Sequence, residues 1–194
     1  MRFLRRLFGS ADEERDRPEA AAPEAAASSA DRRLTVNDFS RHFVRIEELD
    51  FYGQCALSPN GRFRIVWRDG NDAGTHGGYR TSGPGQVLLL DDDRLVAQIR
   101  AERPNEGRVA DNGHFIVNDW RFGDGLKGRF LAFRSDGSQI LSHDLEANLF
   151  NNGLSSDGRL AICQTANAPT EDGSKLYLFD LEAGAMLASW HPEP

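Results

Sequence analysis

The fold is decided by residues 154–184, Leu-Ser-Ser-Asp-Gly-Arg-Leu-Ala-Ile-Cys-Gln…Glu-Asp-Gly-Ser-Lys-Leu-Tyr-Leu-Phe-Asp-Leu-Glu-Ala-Gly, because two earlier stretches repeat their plan. The plan is a short run that ends in a polar turn with glycine, an apolar strand, a loop, a second apolar strand with its own turn, and a last strand. A plan that recurs along a chain predicts a repeat architecture.

The first turn of each unit carries the clearest signal. The three turns are Ser58-Pro59-Asn60-Gly61-Arg62-Phe63, Ala110-Asp111-Asn112-Gly113-His114-Phe115 and Ser156-Asp157-Gly158-Arg159-Leu160. Asn-Gly and Asp-Gly favour tight hairpins, because both residues accept a positive φ. The glycines are spaced 52 and 45 residues apart, close to the period of propeller blades with four strands each.

The later strands align as well. The runs after the first hairpins are Gln86–Leu90, Arg129–Phe133 and Lys175–Phe179, and the last strands are Arg94–Ile99, Gln139–His143 and Met186–Trp190. Short apolar runs rich in Val, Ile, Leu and aromatic residues, bounded by turn residues, are typical of strands.

These turns resemble those of the bacterial WD-repeat-like β-propeller repeats, whose blades begin with a Ser-Pro-Asp-Gly-Arg-type turn and end near an Asp-Leu-x-x-Gly turn. The resemblance is strongest at Ser58–Phe63, Ser156–Leu160 and Phe179–Gly184, covers roughly residues 52–191, and includes no Trp-Asp dipeptide at the end of a third strand. It implies an all-β fold of three four-stranded antiparallel propeller-like blades. Because propellers have four to eight blades, the chain is predicted to be a partial propeller or half of a dimeric six-bladed ring.

Three regions are predicted along the chain: an amphipathic basic tip at 1–9, a disordered linker at 10–33, and the repeat domain at 34–194. Helical spacing places the apolar side chains of the tip on one side and its arginines on the other; these residues are Arg2, Phe3, Leu4, Arg5, Arg6, Leu7 and Phe8. Such a tip suits an anionic membrane surface or the groove of a partner, although an isolated helix this short is marginal in water. The linker carries mixed charge and no aromatic residue, a composition typical of disorder.

Residues 34–51 leave two interpretations open. Asn37 or Asp38 is suited to cap a short helix, whereas His42-Phe-Val-Arg-Ile-Glu alternates as a strand does. We favour a lead-in strand that covers an exposed blade edge, because an open arc of blades has two edges to protect.

Two loops are the predicted binding surface. The longest connection, 69–85, contains His76, Tyr79 and Arg80, and loop 118–128 contains Asp119, Trp120 and Arg121. Long loops often carry function, and aromatic residues with Arg are common anchors of interfaces. The alternative is that Trp67 and Trp120 fill the packing between blades.

The sequence patterns that could indicate catalysis, cofactor binding or metal binding lack the neighbouring structure or the spacing that these functions need. Gly123-Asp-Gly-Leu-Lys-Gly128 matches a dinucleotide fingerprint in letters, but a strand follows where the fingerprint needs a helix. The five histidines lack ligand spacing, and Cys55 and Cys163 are expected to be buried thiols. We therefore predict no cofactor and no metal.

The function predicted from these observations is a non-catalytic interaction or scaffold module that binds a protein partner or a second copy of itself. The alternatives are an enzyme or small-molecule sensor whose pocket forms in a homodimeric six-bladed ring, and a remnant of a longer propeller. A net charge of −7 and a pI near 5.2 argue against nucleic-acid binding. Without an apolar run of spanning length, we expect a cytoplasmic protein with peripheral membrane contact through residues 1–8.

Overall fold

A computed structural model describes residues 33–70, 84–123 and 125–193 of the chain. These residues form an all-β structure of antiparallel strands in three sheets. The first sheet contains β1 Val36–Ser40, β2 Phe43–Ile46, β3 Phe51–Leu57, β4 Phe63–Arg68, β5 Gly85–Asp91 and β6 Arg94–Ala101. The second contains β7 Pro104–Val109, β8 Phe115–Trp120, β9 Gly128–Phe133 and β10 Gln139–Leu145. The third contains β11 Leu149–Leu154, β12 Leu160–Thr165, β13 Leu176–Asp180 and β14 Ala185–Trp190.

The predicted fold class is confirmed. Within each unit of four strands, consecutive strands are hydrogen-bonded neighbours, so that β3–β6, β7–β10 and β11–β14 are three meanders that correspond to propeller blades. We call them the first, second and third blade. The second blade corrects one boundary, since β8 continues to Trp120 and residues 118–120 are strand where the sequence predicts a loop.

Serine side chains build the first turn of the first and third blades. Ser58 Oγ donates to Asn60 Oδ1 at 2.7 Å and accepts the N–H of Phe63 at 3.0 Å. Ser155 Oγ donates to Asp157 Oδ1 at 2.6 Å and accepts the N–H of the residue five positions later at 2.9 Å. In each turn the serine hydroxyl therefore forms hydrogen bonds with a side chain and a backbone N–H of the same turn, which explains why both turns begin with serine.

The second blade has a shorter first hairpin. Its turn begins with Ala110, whose N–H donates to the carbonyl four residues later at 2.9 Å, whereas the N–H of Ser58 reaches the carbonyl five residues later at 2.8 Å. Leu57 pairs with Arg64, and the equivalent Val109 pairs with Phe115. Because side chains alternate with a period of two, this one-residue difference places Phe115 on the face opposite to the one that alignment of the turns predicts.

Two apolar layers hold the blades together. The layer between the first and second blades includes Ile65, Leu89, Val117 and Phe133, and the layer between the second and third includes Phe130 and Phe179, whose rings stack with centroids 5.0 Å apart. Burial of such side chains contributes about 1.5–3 kcal/mol each. Both cysteines are buried free thiols, as predicted.

A third apolar cluster lies on the outer side of the first blade, away from the second. Strands β3 to β6 contribute Val66, Leu88 and Leu90, which are at most 2% exposed although no other blade covers them within the described ranges. Leu34, Val44 and Ile46, from the segment before β3, complete this cluster. The segment 34–46 is therefore a cap on the first blade.

The cap is a hairpin and not the single lead-in strand expected from the sequence. Strand β1 pairs with β2, and β2 pairs with β3, so the cap continues the sheet of the first blade. At its other side, Arg33 forms a bridge with Arg94, and the N–H of Leu34 donates to Asp93 O at 2.8 Å. The six-stranded sheet thus curls back toward its own β5–β6 turn and encloses the outer cluster.

In the described part of the chain, no helix has the length and apolar character needed to cross a membrane.

Candidate interaction surface

The predicted site residues divide between described and undescribed parts of the chain. His76, Tyr79 and Arg80 fall in residues 71–83, and the tip residues Arg2 to Phe8 fall in residues 1–32, both outside the described residues. Asp119, Trp120 and Arg121 are described, at the end of β8. Their geometry shows what each side chain contacts.

Asp119 is an internal carboxylate. Its side chain accepts the backbone N–H groups of Arg103 at 2.7 Å and Glu102 at 3.2 Å, and the residue is 1% exposed. Burial raises the pKa of Asp119 to about 6, against the lowering effect of these hydrogen bonds. Asp119 therefore fixes the connection between the first and second blades and does not face a partner.

Trp120 joins the second blade to the third. Its indole Nε1 donates to Leu149 O at 2.9 Å, and its ring packs beside the apolar layer between these blades. Trp67 does the same one blade earlier, with Nε1 donating to Asn105 O at 2.9 Å. Both contacts agree with the alternative interpretation of these residues as packing between blades.

Arg121 is partly exposed and lies in a network of charges. Its guanidinium contacts Glu102 at 3.2 Å and Asp144 at 3.5 Å, and Asp144 also pairs with Arg129 at 2.8 Å. The side chain is 28% exposed. A partner of this surface would meet a network of paired charges, which favours specificity more than affinity.

An exposed aromatic patch lies across the cap and the adjacent strand β3, and it was not predicted from the sequence. We define it as Phe39, Phe43 and Tyr52, which are 65%, 37% and 54% exposed. The ring centroid of Tyr52 is 5.7 Å from that of Phe39 and 5.8 Å from that of Phe43. Contiguous exposed aromatic rings mark interaction sites, because each one leaves a large apolar area in water.

The strand pattern explains why these rings are outside. Val44 and Ile46 are fully buried in the cap, so alternation along β2 turns Phe43 and Arg45 outward. Arg45 is paired with Tyr52 across β2 and β3, which places the tyrosine on the same solvent-exposed face of the sheet, opposite the face that holds the third apolar cluster. A signal was therefore present in the sequence: a strand whose aliphatic residues fill one face had an aromatic residue on the other.

The aromatic patch lies toward the same end of the first blade as the base of the predicted loop 69–85. Arg68, the last residue of β4, donates from Nη1 to Asp50 O at 3.3 Å, two residues before Tyr52. The Arg68 guanidinium also lies 4.8 Å from the centroid of the Phe51 ring. The patch and the two ends of the loop thus lie at the same end of the first blade.

A cavity of about 440 Å³ lies at the opposite end, between the turns of the first and second blades. Its charged groups already have partners: Arg62 makes two bonds of 2.7 Å to Asp91, Asp111 accepts the N–H of Asn60 at 2.8 Å, and Asp136 accepts the N–H of Ser138 at 2.8 Å. These contacts lie within and between the turns and leave the cavity without a dedicated charged group for a ligand. Across the described ranges, no cluster of three or more His, Cys, Asp or Glu residues is arranged to hold a metal.

No protein-family model matches the sequence, and no curated protein matches it either. Among solved structures, it is similar to a eukaryotic initiation factor, with 10% identity and a TM-score of 0.49, over 81% of this chain and 42% of that one. It is also similar to the β-propeller domain of the Trilobed protease from Pyrococcus furiosus, with 10% identity, a TM-score of 0.43, and coverage of 76% and 50%. A third similar structure is a putative 6-phosphogluconolactonase from Bacteroides uniformis, with 12% identity, a TM-score of 0.40, and coverage of 85% and 53%. The chain spans about half the length of these structures.

Proposed function

We propose that the protein is a non-catalytic interaction module and that its partner protein packs on the aromatic patch and loop 69–85. The observation that carries the proposal is the contact of three exposed rings, Phe39, Phe43 and Tyr52, on a rigid sheet. Aromatic side chains on a fixed backbone lose little conformational entropy on binding and are common hot spots of interfaces.

Two arginines beside the aromatic patch suit acidic side chains on a protein partner. Arg45 lies on the outer side of β2 beside Tyr52, and Arg41 is in the exposed β1–β2 turn. Arg45 reaches Asp50 only at 3.8 Å, in a pair that is well exposed to solvent. Arginine beside aromatic rings provides both charge and stacking for a partner segment.

We also infer that the repeats are of the bacterial WD-repeat-like type, on the strength of the serine-built turns at Ser58 and Ser155. The alternative function, a pocket in a homodimeric six-bladed ring, requires the third blade of one copy to pack on the first blade of the other. That face of the first blade is already occupied by the cap, with Val44 and Ile46 completely buried. Ring closure would require the cap to leave, which makes the module the better-supported function.

The test is a comparison of two full-length variants. Phe39→Ser/Phe43→Ser/Tyr52→Ser removes the aromatic patch from a solvent-facing surface, and Phe150→Ser removes an isolated exposed ring, 69% exposed, as the control. With the partner captured by the wild-type chain and then purified, calorimetry should show an affinity at least about tenfold weaker for the triple variant, since hot-spot truncations cost more than 1 kcal/mol each. The control should bind as the wild type does.

Equal affinities of the triple variant and the wild type would contradict the proposed surface. Self-association is distinguished by light scattering, because a dimer formed through the patch would have twice the 21.6 kDa mass of the chain and would dissociate in the triple variant. For the second predicted loop, 118–128, Arg121→Ala is a better probe than Trp120→Ala, because loss of the indole would also break the contact with Leu149.

A further inference from the structure

The outer face of the third blade is apolar and uncovered in the described residues. Along β12 and β13, Ala161, Cys163, Tyr177 and Phe179 point toward the second blade and are buried. The alternate residues therefore point away from it, in rows that continue onto β14. We define the open face by these residues: Leu160, Ile162, Leu176, Leu178, Ala188 and Trp190.

The edge of this blade lacks the charges of the other outer strands. All six residues of β14, Ala-Met-Leu-Ala-Ser-Trp, are exposed and uncharged, with Met186 at 48%, Leu187 at 55% and Trp190 at 40% exposure. The equivalent strand β6 of the first blade carries Arg94 and Arg100. Charges on edge strands prevent unwanted pairing, so an uncharged edge beside an apolar face is suited to a contact.

The third blade, which carries the open face, is acidic overall. Residues 146–193 contain seven Asp and Glu against Arg159 and Lys175, so this region holds −5 of the net charge of −7. Asp180 ends β13, and Glu182 follows in the turn before β14. The matching occupant is a segment that is both apolar and basic.

The N-terminal tip of the same chain has that composition. In residues 1–9, Phe3, Leu4, Leu7 and Phe8 alternate with Arg2, Arg5 and Arg6, without any acidic residue. The 24 residues from 10 to 33 that follow can extend over roughly 80 Å. A domain of this size is only about 40 Å across, so the tip can reach the third blade from Arg33.

We propose that the tip packs on the open face of the third blade of its own chain. Its apolar side chains cover Ile162, Leu178 and the neighbouring residues of the open face, and its arginines lie among the acidic residues of the third blade. The contact is intramolecular because the linker supplies a high local concentration of the tip. This goes beyond the proposed function, which concerns the aromatic patch on the other end blade.

The test uses the full-length chain with a spin label on the single substitution Ser10→Cys. The native thiols Cys55 and Cys163 are buried, so the label reacts beside the tip. Methyl NMR should show strong broadening at Ile162, Leu178 and Leu187 and none at Val44 or Val66 of the capped face. In a mixture of labelled chains with isotope-labelled chains that carry no spin label, the broadening should disappear, as an intramolecular contact requires.

Charge reversal is the second part of the test. Arg2→Glu/Arg5→Glu/Arg6→Glu should abolish the broadening, whereas Arg2→Lys/Arg5→Lys/Arg6→Lys should keep it. Absence of broadening at the open face, or broadening spread evenly over the domain, would overturn the proposal. Broadening between different chains would overturn it in favour of a dimer. Binding of the full chain to anionic phosphatidylserine vesicles without contact at the open face would assign the tip to membranes instead.

Discussion

The outer faces of the first and third blades are made by matching strands and differ in what covers them. On the first blade, Val66 and Leu88 are 0% and 2% exposed, because the hairpin 34–46 caps them. On the third blade, Leu160 and Trp190 remain 44% and 40% exposed in the described structure. A stack of repeats buries only the faces between neighbours, so each end needs its own cover. The comparison shows that the chain provides one such cover within its own sheet.

The largest expected effect is on stability when the cap is weakened. Ile46→Ala removes a fully buried side chain from the cap and should lower the free energy of unfolding by about 2–5 kcal/mol. Leu187→Ala removes an exposed side chain of β14 and should change it by less than about 0.5 kcal/mol. Urea unfolding of both variants measures the difference. Similar losses in the two variants would mean that the side chain of Leu187 is as well buried as that of Ile46.

A smaller effect on stability is expected from a change of pH, through a buried carboxylate in a connection between blades. Asp119 holds the connection from the first to the second blade, and Asp172 accepts the N–H of Glu146 at 2.7 Å in the connection to the third. The pKa of Asp119 is raised from 3.8 to about 6, so between these values the folded protein binds more protons than the unfolded chain. Stability should therefore fall as the pH rises from about 4 to about 6, by about 2–3 kcal/mol.

The variant Asp119→Asn isolates this dependence on pH. It should remove the slope from a plot of unfolding free energy against pH, while Asp172→Asn should keep it. Chemical denaturation at several pH values between 4 and 7 provides the measurement. Persistence of the full slope in Asp119→Asn would show that another group is responsible.

The smallest expected effect is the difference in stability loss between serine-to-alanine variants in the two serine-built turns. Ser58 is buried and Ser155 is partly exposed, although their hydroxyl groups make the same pair of hydrogen bonds. Ser58→Ala should cost about 1–2 kcal/mol, and Ser155→Ala about half as much, because water can replace the lost bonds only at the exposed turn. Thermal unfolding of both variants tests the order, which would be contradicted by a larger loss at Ser155.

The three blades could be predicted from the sequence because the patterns that indicate them are local. Turns such as Ser58–Phe63 and apolar runs such as Arg129–Phe133 depend on neighbours within a few residues, and their spacing along the chain gives the order of strands. The shift at Ala110 was not predictable, because it depends on which carbonyl the turn N–H reaches in the folded hairpin. The cap was foreseen only as a strand, since closure of the sheet depends on the distant bridge between Arg33 and Arg94.

The candidate site was harder to predict than the fold. Trp120 and Asp119 stood next to each other in an apparent loop, but one side chain packs between blades and the other is buried under backbone N–H groups. Exposed interface residues would have the same local sequence pattern, because burial by another blade depends on contacts that are distant along the chain. Phe43 and Tyr52 became recognisable only when the register of β2 and β3 was known.

Hydrogen exchange of the backbone amides, followed strand by strand in the full-length protein, tests the contrast between the two end blades most directly. Strand β2 is paired on both sides and packs its side chains into the closed cluster, whereas β14, among the described strands, is paired only with β13. We expect β2 to exchange as slowly as the central strands β8 and β9, and β14 to exchange much faster. Rapid exchange in β2 together with slow exchange in β14 would contradict this expectation.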